Sequence, residues 1–190
     1  MNSILSAISN REIFNVNPSV VISNNKDAPG LEIAKKKFNI STEVIPNDGS
    51  KGWDYDKKIY AILNQYNVLP SNGLICLAGY MKLLSSEFVD KYRLRIMNIH
   101  PSLLPSFSGL HAQKQALEYG VKISGCTVHF VDSGLDSGPI ILQEALQIKA
   151  SESLEDITSR ILELEHKLYP LAVKLFAEGK LKTIGRVVQI

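Results

Sequence analysis

The sequence is poor in cysteine and has no spacing that would let cysteine or histidine side chains hold a metal. Cys76 and Cys126 stand far apart, in separate apolar runs, among 190 residues, so a C-x-x-C zinc or redox motif is excluded. The four histidines are equally scattered, without the short repeats of a zinc site. We therefore expect two buried free thiols in a reducing compartment, and no metal centre.

Long hydrophobic runs and a strong charge of either sign are also missing. No stretch reaches the roughly 18 consecutive apolar residues of a membrane span, and no signal-peptide pattern opens the chain. The formal net charge of +2 is too small for a nucleic-acid-binding face, although it suits a small anionic substrate. These absences predict a cytoplasmic protein that binds neither a membrane nor a nucleic acid.

Well-known catalytic and phosphate-binding signatures are absent as well. Neither Gly-x-Ser-x-Gly nor a Walker loop occurs, so neither an α/β-hydrolase nor a P-loop enzyme is indicated. The opening letters, MNSILSAISNREI, predict an amphipathic helix, whereas an open parallel sheet ordinarily begins with a strand and a phosphate-binding turn. We therefore expect the sheet of this chain to lack that first strand and that anion site.

Strand patterns are plentiful in the rest of the chain. Runs rich in Val, Ile and Leu predict strands at 19–23, 74–79, 95–99, 125–131 and 138–146. The last two runs are joined only by DSGLDSG, which leaves no room for a crossover helix. We expect them to form an antiparallel pair towards the C-terminal half.

Helical patterns lie between and after these strands. Apolar residues recur at helical spacing over 28–38 and 53–66, and over a long segment that begins near Ser153. Ser153 and Asp156 have the spacing of a capping box, and Pro170 should kink or split the helix. The alternation predicts an α/β fold, with one domain over 1–190 and a mostly parallel sheet flanked by helices.

Polar side chains stand where the strand 95–99 ends. Asn98 and His100 are two positions apart, and prolines at 101 and 105 stiffen the loop behind them. An amide and an imidazole aimed at one point are suitable donors for a developing oxyanion. The same residues could instead cap a strand end, with the histidine bonded to backbone. His111 follows in the loop and could line a site, whereas His129 and His166 read as structural.

The loop DSGLDSG carries two aspartates, Asp132 and Asp136, directly after a strand. Asp-Ser-Gly is ordinary turn chemistry, so a solvated hairpin turn explains the loop on its own. However, an aspartate that faces a histidine favours the protonated imidazole, which a general acid requires. The residues alone leave both interpretations open.

Taken together, these segments closely resemble the glycinamide ribonucleotide formyltransferase family, a group of folate-dependent formyltransferases. The likeness covers nearly the whole chain and rests on five stretches. They are VVISNNKDAPGLEIA (20–34), LAGYMKLLSSEFV (77–89), NIHPSLLPSFSGLHAQKQALEYG (98–120), GCTVHFVDSGLDSGPIILQ (125–143) and DITSRILELEHKLYPLAVKLFAEGKL (156–181).

The resemblance implies a Rossmann-like fold that moves the formyl group of 10-formyltetrahydrofolate, a co-substrate, to the amine of glycinamide ribonucleotide in purine biosynthesis. It implies that Asn98 and His100 hold the oxyanion and that Asp136 orients His100. Glu165 would bind the ribose hydroxyls, although the usual polar companion is Leu162 here. The implied folate-binding residues are Met81, Lys82, Leu83, Leu84, Asn98, Asp132, Ser133, Gly134, Leu135 and Asp136.

Other interpretations remain open beside this one. A formyltetrahydrofolate hydrolase would use the same residues with water as acceptor, and a folate-binding protein without catalysis would need only the pterin slot. Relatives open with a strand and a Gly-x-Gly-Ser-Asn turn that binds phosphate. We expect Met1 to be an internal methionine of a longer product that contains this strand. A homodimer is a further possibility that the sequence leaves undecided.

Overall fold

The computed structural model describes residues 1–190 as helices and strands that alternate through most of the chain. The helices are α1 (Asn2–Ser9), α2 (Pro29–Phe38), α3 (Trp53–Gln65), α4 (Ser86–Lys91), α5 (Ala112–Tyr119) and α6 (Leu154–Ala177). The strands are β1 (Val20–Ser23), β2 (Ser41–Val44), β3 (Ile75–Cys76), β4 (Ile96–His100), β5 (Ile123–Phe130), β6 (Ile140–Gln147), β7 (Lys182–Ile184) and β8 (Val187–Gln189).

The strands form two hydrogen-bonded groups. Strands β1 and β2 make a parallel pair, and the other six are ordered β3-β4-β5-β6-β8-β7. Pairing is parallel between β3 and β4 and antiparallel from β4 through β5 to β6. The α/β class, the parallel strands of the N-terminal half and the predicted antiparallel pair are confirmed. The strand expected before Met1 concerns residues outside this chain and stays a prediction.

Most predicted elements occur close to their expected positions. The exception in length is the run 74–79, of which only Ile75–Cys76 is strand. Gly79 has a φ of +70°, a left-handed conformation that turns the chain out of the sheet. Strands β2, β7 and β8 and helix α4 were not predicted, because each is too short to show a period.

Helix α6 packs against β5 and β6 and closes the main hydrophobic core. It begins with the predicted capping box, in which Ser153 Oγ accepts from the Asp156 N–H and Asp156 Oδ2 accepts from the Ser153 N–H. It then runs through Pro170 without a break, so the prediction of a split is wrong. Buried neighbours on both sides of the proline, such as Tyr169 and Ala172, hold the helix in the core.

Both cysteines are free, with Cys126 buried and Cys76 half-buried. Burial of the sulfur raises the pKa of each thiol to about 12, so neither is a reactive thiolate at neutral pH. No helix of the chain has both the length and the apolar character that crossing a membrane requires.

Candidate active site

The site is built at the end of β4, where Asn98 and His100 project on the same side of the strand. Side chains two positions apart share one face of a strand, which is why an Asn-x-His spacing brings an amide and an imidazole together. Antiparallel pairing sets Asn98 opposite His129 and His100 opposite Thr127 on β5. The neighbouring strand therefore supplies the walls of the site.

Both ring nitrogens of His100 face oxygen atoms, and the residue is only 4% exposed. Its Nε2 lies 2.8 Å from the carbonyl oxygen of Phe107, and its Nδ1 lies 3.3 Å from Oδ2 of Asp136. A carbonyl and a carboxylate can only accept hydrogen bonds. A ring that carries a proton on each nitrogen therefore satisfies both contacts.

Asp136 is the aspartate that the fold brings into the site. Its side chain is 12% exposed, and Oδ2 also accepts a hydrogen bond of 2.8 Å from the backbone N–H of Gly109. Oδ1 lies 3.9 Å from Nε2 of His129. Asp136 has a φ of +49°, in the left-handed region that aspartate tolerates better than most residues. The fold thus places Asp136 beside His100, and its predicted part in catalysis stays a prediction.

Asp132 has a different role, inside the loop 132–138. Its Oδ1 accepts hydrogen bonds from the Gly134 N–H at 3.1 Å and from Ser137 Oγ at 2.6 Å. This is the turn chemistry that the alternative interpretation of DSGLDSG expected. The loop therefore contains two arrangements: Asp132 builds the turn, and Asp136 lies beside His100 and His129.

His129 is a site residue that the sequence interpretation missed. Its Nδ1 lies 2.8 Å from the Phe130 carbonyl oxygen and must donate there, which leaves Nε2 free to accept from Asn98 Nδ2 at 3.4 Å. Burial lowers the pKa of His129, while the Phe130 carbonyl and Asp136 act in the opposite direction. The alternation of His129 with apolar residues in the sequence could not indicate a place in the site, because only the strand register places it opposite Asn98.

A buried hydrogen-bond network holds the loop that follows β4. The hydroxyl of Thr127 donates to the Ser102 carbonyl at 2.7 Å and accepts from the Leu104 N–H at 3.0 Å. Gln143 Nε2 adds contacts of 3.0 Å to the same hydroxyl and 2.9 Å to the Leu104 carbonyl. The loop that carries the Phe107 carbonyl is thus fixed to β5 and β6, and it orients His100 in turn.

The segment 81–84 presents apolar side chains to solvent. Met81 is 78% exposed and Leu83 is 70% exposed, an arrangement typical of residues that cover a ligand. Lys82 points towards Asn47, in the loop before α3, and towards Tyr55, on α3 itself. Its Nζ lies 3.0 Å from Asn47 Oδ1 and 3.8 Å from the centre of the Tyr55 ring. The predicted binding roles of this segment stay predictions.

Glu165, on α6, is half-buried, and burial raises the pKa of its carboxyl to about 7, against the effect of the Met1 ammonium. Leu162 is exposed one turn earlier.

His111 is exposed at the N-cap of α5, with a φ of +61°. No group of three or more His, Cys, Asp or Glu side chains is arranged to hold a metal ion.

Comparisons with known proteins identify relatives of this chain. A family model described as "Formyl transferase" matches residues 1–173. The phosphoribosylglycinamide formyltransferase of Escherichia coli (strain K12) is 41% identical over 162 residues, which cover 85% of this chain and 74% of that protein. Glycinamide ribonucleotide transformylase 1 from Symbiobacterium toebii, a crystal structure, matches with a TM-score of 0.92 and 44% identity, over 100% of this chain and 87% of that one.

A longer relative contains the same region. The trifunctional purine biosynthetic protein adenosine-3 of Gallus gallus is 43% identical over 162 residues, or 84% of this chain. The match spans only 16% of the length of that relative. Because the family model covers most of the chain and the Escherichia coli relative aligns over most of both sequences, the chain belongs to the formyl transferase family.

Proposed function

We propose that this protein transfers the formyl group of 10-formyltetrahydrofolate to the amine of glycinamide ribonucleotide, a step of purine biosynthesis. The observation that carries the proposal is the arrangement of Asn98 and His100 on one face of β4, with Asp136 3.3 Å from the imidazole. The names of the Escherichia coli and Symbiobacterium toebii relatives support the choice of acceptor.

The reaction needs donors for a transient negative charge. The amine attacks the formyl carbon, a new C–N bond forms, and the formyl oxygen becomes an oxyanion. The bond to the folate nitrogen then breaks, and the proton lost by the amine is transferred to that leaving nitrogen. No covalent intermediate with the protein is required, so positioning and oxyanion stabilisation supply the acceleration.

Asn98 and His100 can provide these donors while they keep most of the hydrogen bonds that they already make. The amide nitrogen of Asn98 carries two protons, and only one is directed at His129. The contact of His100 Nδ1 with Asp136 is long, at 3.3 Å, whereas Nε2 is committed to Phe107 at 2.8 Å. Nδ1–H is therefore the proton that can be shared with a developing oxyanion. The carboxylate of Asp136, 3.3 Å from Nδ1, orients the ring and can relay the proton from the amine to the leaving nitrogen.

The co-substrate and nucleotide sites follow from the family resemblance. Segment 81–84 and the loop 132–136 would enclose the pterin ring, since exposed Met81 and Leu83 supply apolar surface for a flat heterocycle. Glu165 would accept hydrogen bonds from the ribose hydroxyls, without a polar partner at Leu162. The chain 1–190 is proposed as one formyltransferase domain. A cytoplasmic location and a homodimer stay predictions.

The test is an assay of the purified protein with formyl folate in the presence and absence of the ribonucleotide. We expect formylated ribonucleotide only when both substrates are present. Formate release without the ribonucleotide would instead identify a hydrolase. Folate binding with neither product would identify a non-catalytic binding protein, and either result would overturn the proposal.

A further inference from the structure

The C-terminal hairpin reaches the loop that carries Asp136. Strands β7 and β8 pair antiparallel, with Ile184 opposite Val187, so only two residues form the turn. Gly185 takes the first turn position with a φ of +59°, as tight two-residue hairpin turns require. Strand β8 then pairs with the start of β6, Val187 against Ile140. The turn thus lies beside the end of the loop 132–138.

Arg186 makes the contact between the two segments. Its Nη2 donates a hydrogen bond of 2.6 Å to the backbone carbonyl of Ser137. Ser137 directly follows Asp136, and its side chain closes the turn onto Asp132. A guanidinium donor gives a charge-assisted bond, which is stronger than one between neutral groups. The residue after the catalytic aspartate is therefore held both from within the loop and from the hairpin.

Asp136 needs such support because its backbone is in a left-handed conformation, with a φ of +49°. Even for an aspartate, which tolerates this region better than most residues, the conformation costs free energy that surrounding contacts must offset. On one side the Gly109 N–H binds the carboxylate. On the other side the chain is confined at Gly138, where an added Cβ would lie 1.9 Å from the Phe130 carbonyl oxygen. The hydrogen bond from Arg186 to the Ser137 carbonyl holds the residue between Asp136 and Gly138.

We propose that Arg186 is a positioning residue, which holds the loop so that Asp136 faces His100. The inference rests on the proposed function, since it assigns the hairpin a part in the same reaction. The hairpin is far from β4 in sequence, and Arg186 is exposed, so neither burial nor a motif indicates this role.

The first experiment compares Arg186→Ala with the wild-type protein in steady-state formyl transfer. We expect kcat to fall about tenfold, because a small displacement of a catalytic group is costly, with the KM for the ribonucleotide unchanged. Arg186→Lys should recover part of the loss, since an ammonium can donate to the same carbonyl. Lys182→Ala is the matched control, because it removes an exposed cation from the same hairpin, and it should retain wild-type kinetics.

The second experiment repeats Arg186→Ala in an Asp136→Ala background. If Arg186 acts through Asp136, the arginine substitution should have almost no further effect on kcat there. An equal fall in both backgrounds, or an unchanged kcat for Arg186→Ala in the wild-type background, would overturn the inference. Failure of the wild-type protein to transfer the formyl group would instead overturn the proposed function, so the two failures are distinguishable.

Discussion

Two tyrosine hydroxyls in this structure give opposite predictions for the same chemical change. Tyr169 is 3% exposed, and its hydroxyl lies 2.8 Å from the Met97 carbonyl and 3.0 Å from the Leu77 carbonyl. The hydroxyl of Tyr80 is buried without any hydrogen-bond partner, and burial raises the pKa of Tyr80 well above its usual value. Replacing each tyrosine by phenylalanine removes one oxygen atom and no apolar surface.

The expected free energies follow from these contacts. Tyr169→Phe loses a buried hydrogen bond, which costs about 1–2 kcal/mol of unfolding free energy. The cost stays in this range because the Met97 carbonyl also accepts from the Leu77 N–H at 2.8 Å and is not left unpaired. Tyr80→Phe removes an unpaired buried hydroxyl and should stabilise the protein by about 1 kcal/mol. The two variants should therefore differ by about 2–3 kcal/mol.

Urea unfolding of both variants and of the wild-type protein measures this difference. The denaturant dependence should be the same in all three, so that the midpoints report stability alone. A Tyr80→Phe variant that is as destabilised as Tyr169→Phe would show that the Tyr80 hydroxyl has a partner and that the packing around it is described wrongly.

Two further predictions concern titration and the tight loop. Burial raises the pKa of Glu165 from 4.5 to about 7, so the folded state binds this proton more tightly than the unfolded state does. The free energy of unfolding should therefore fall as the pH rises from about 4.5 to about 7, by at most roughly 3 kcal/mol. Glu165→Gln should lack this fall in urea unfolding at pH 5 and pH 8, and an equal fall in the variant would contradict the assignment. Gly138→Ala places a Cβ against the Phe130 carbonyl and should cost more than about 2 kcal/mol and most of the activity. Gly179→Ala is the control, since an added Cβ at this position meets no atom and costs only the backbone strain of a φ of +67°. If the two alanine variants lost the same free energy of unfolding, the steric argument would be contradicted.

The sequence was informative wherever a local pattern carried the structure. Alternation and apolar runs located the central strands, and the two-residue spacing of Asn98 and His100 predicted a shared face on β4. The capping box of Ser153 and Asp156 marked the start of α6. Each of these features depends on residues close together in the chain, so the letters alone contain the information.

Features that depend on register or on distant contacts could not be predicted from the residues. Nothing in DSGLDSG distinguishes the turn-building Asp132 from Asp136, and only the family resemblance assigned the catalytic role. His129 faces Asn98 because of the β4–β5 register. Pro170 was expected to kink or split α6, but the helix is not split, because packing on both sides of the proline overrides the local preference. The hairpin contact of Arg186 joins residues 49 positions apart.

The proposed reaction depends most on an amide and an imidazole that together stabilise negative charge on the formyl oxygen. The most direct measurement is the kcat for ribonucleotide-dependent formyl transfer by Asn98→Ala and by His100→Ala, with both substrates saturating. Loss of an oxyanion donor predicts a kcat roughly 10²–10³-fold lower in each variant while the protein stays folded. Wild-type kcat in both variants would contradict the account.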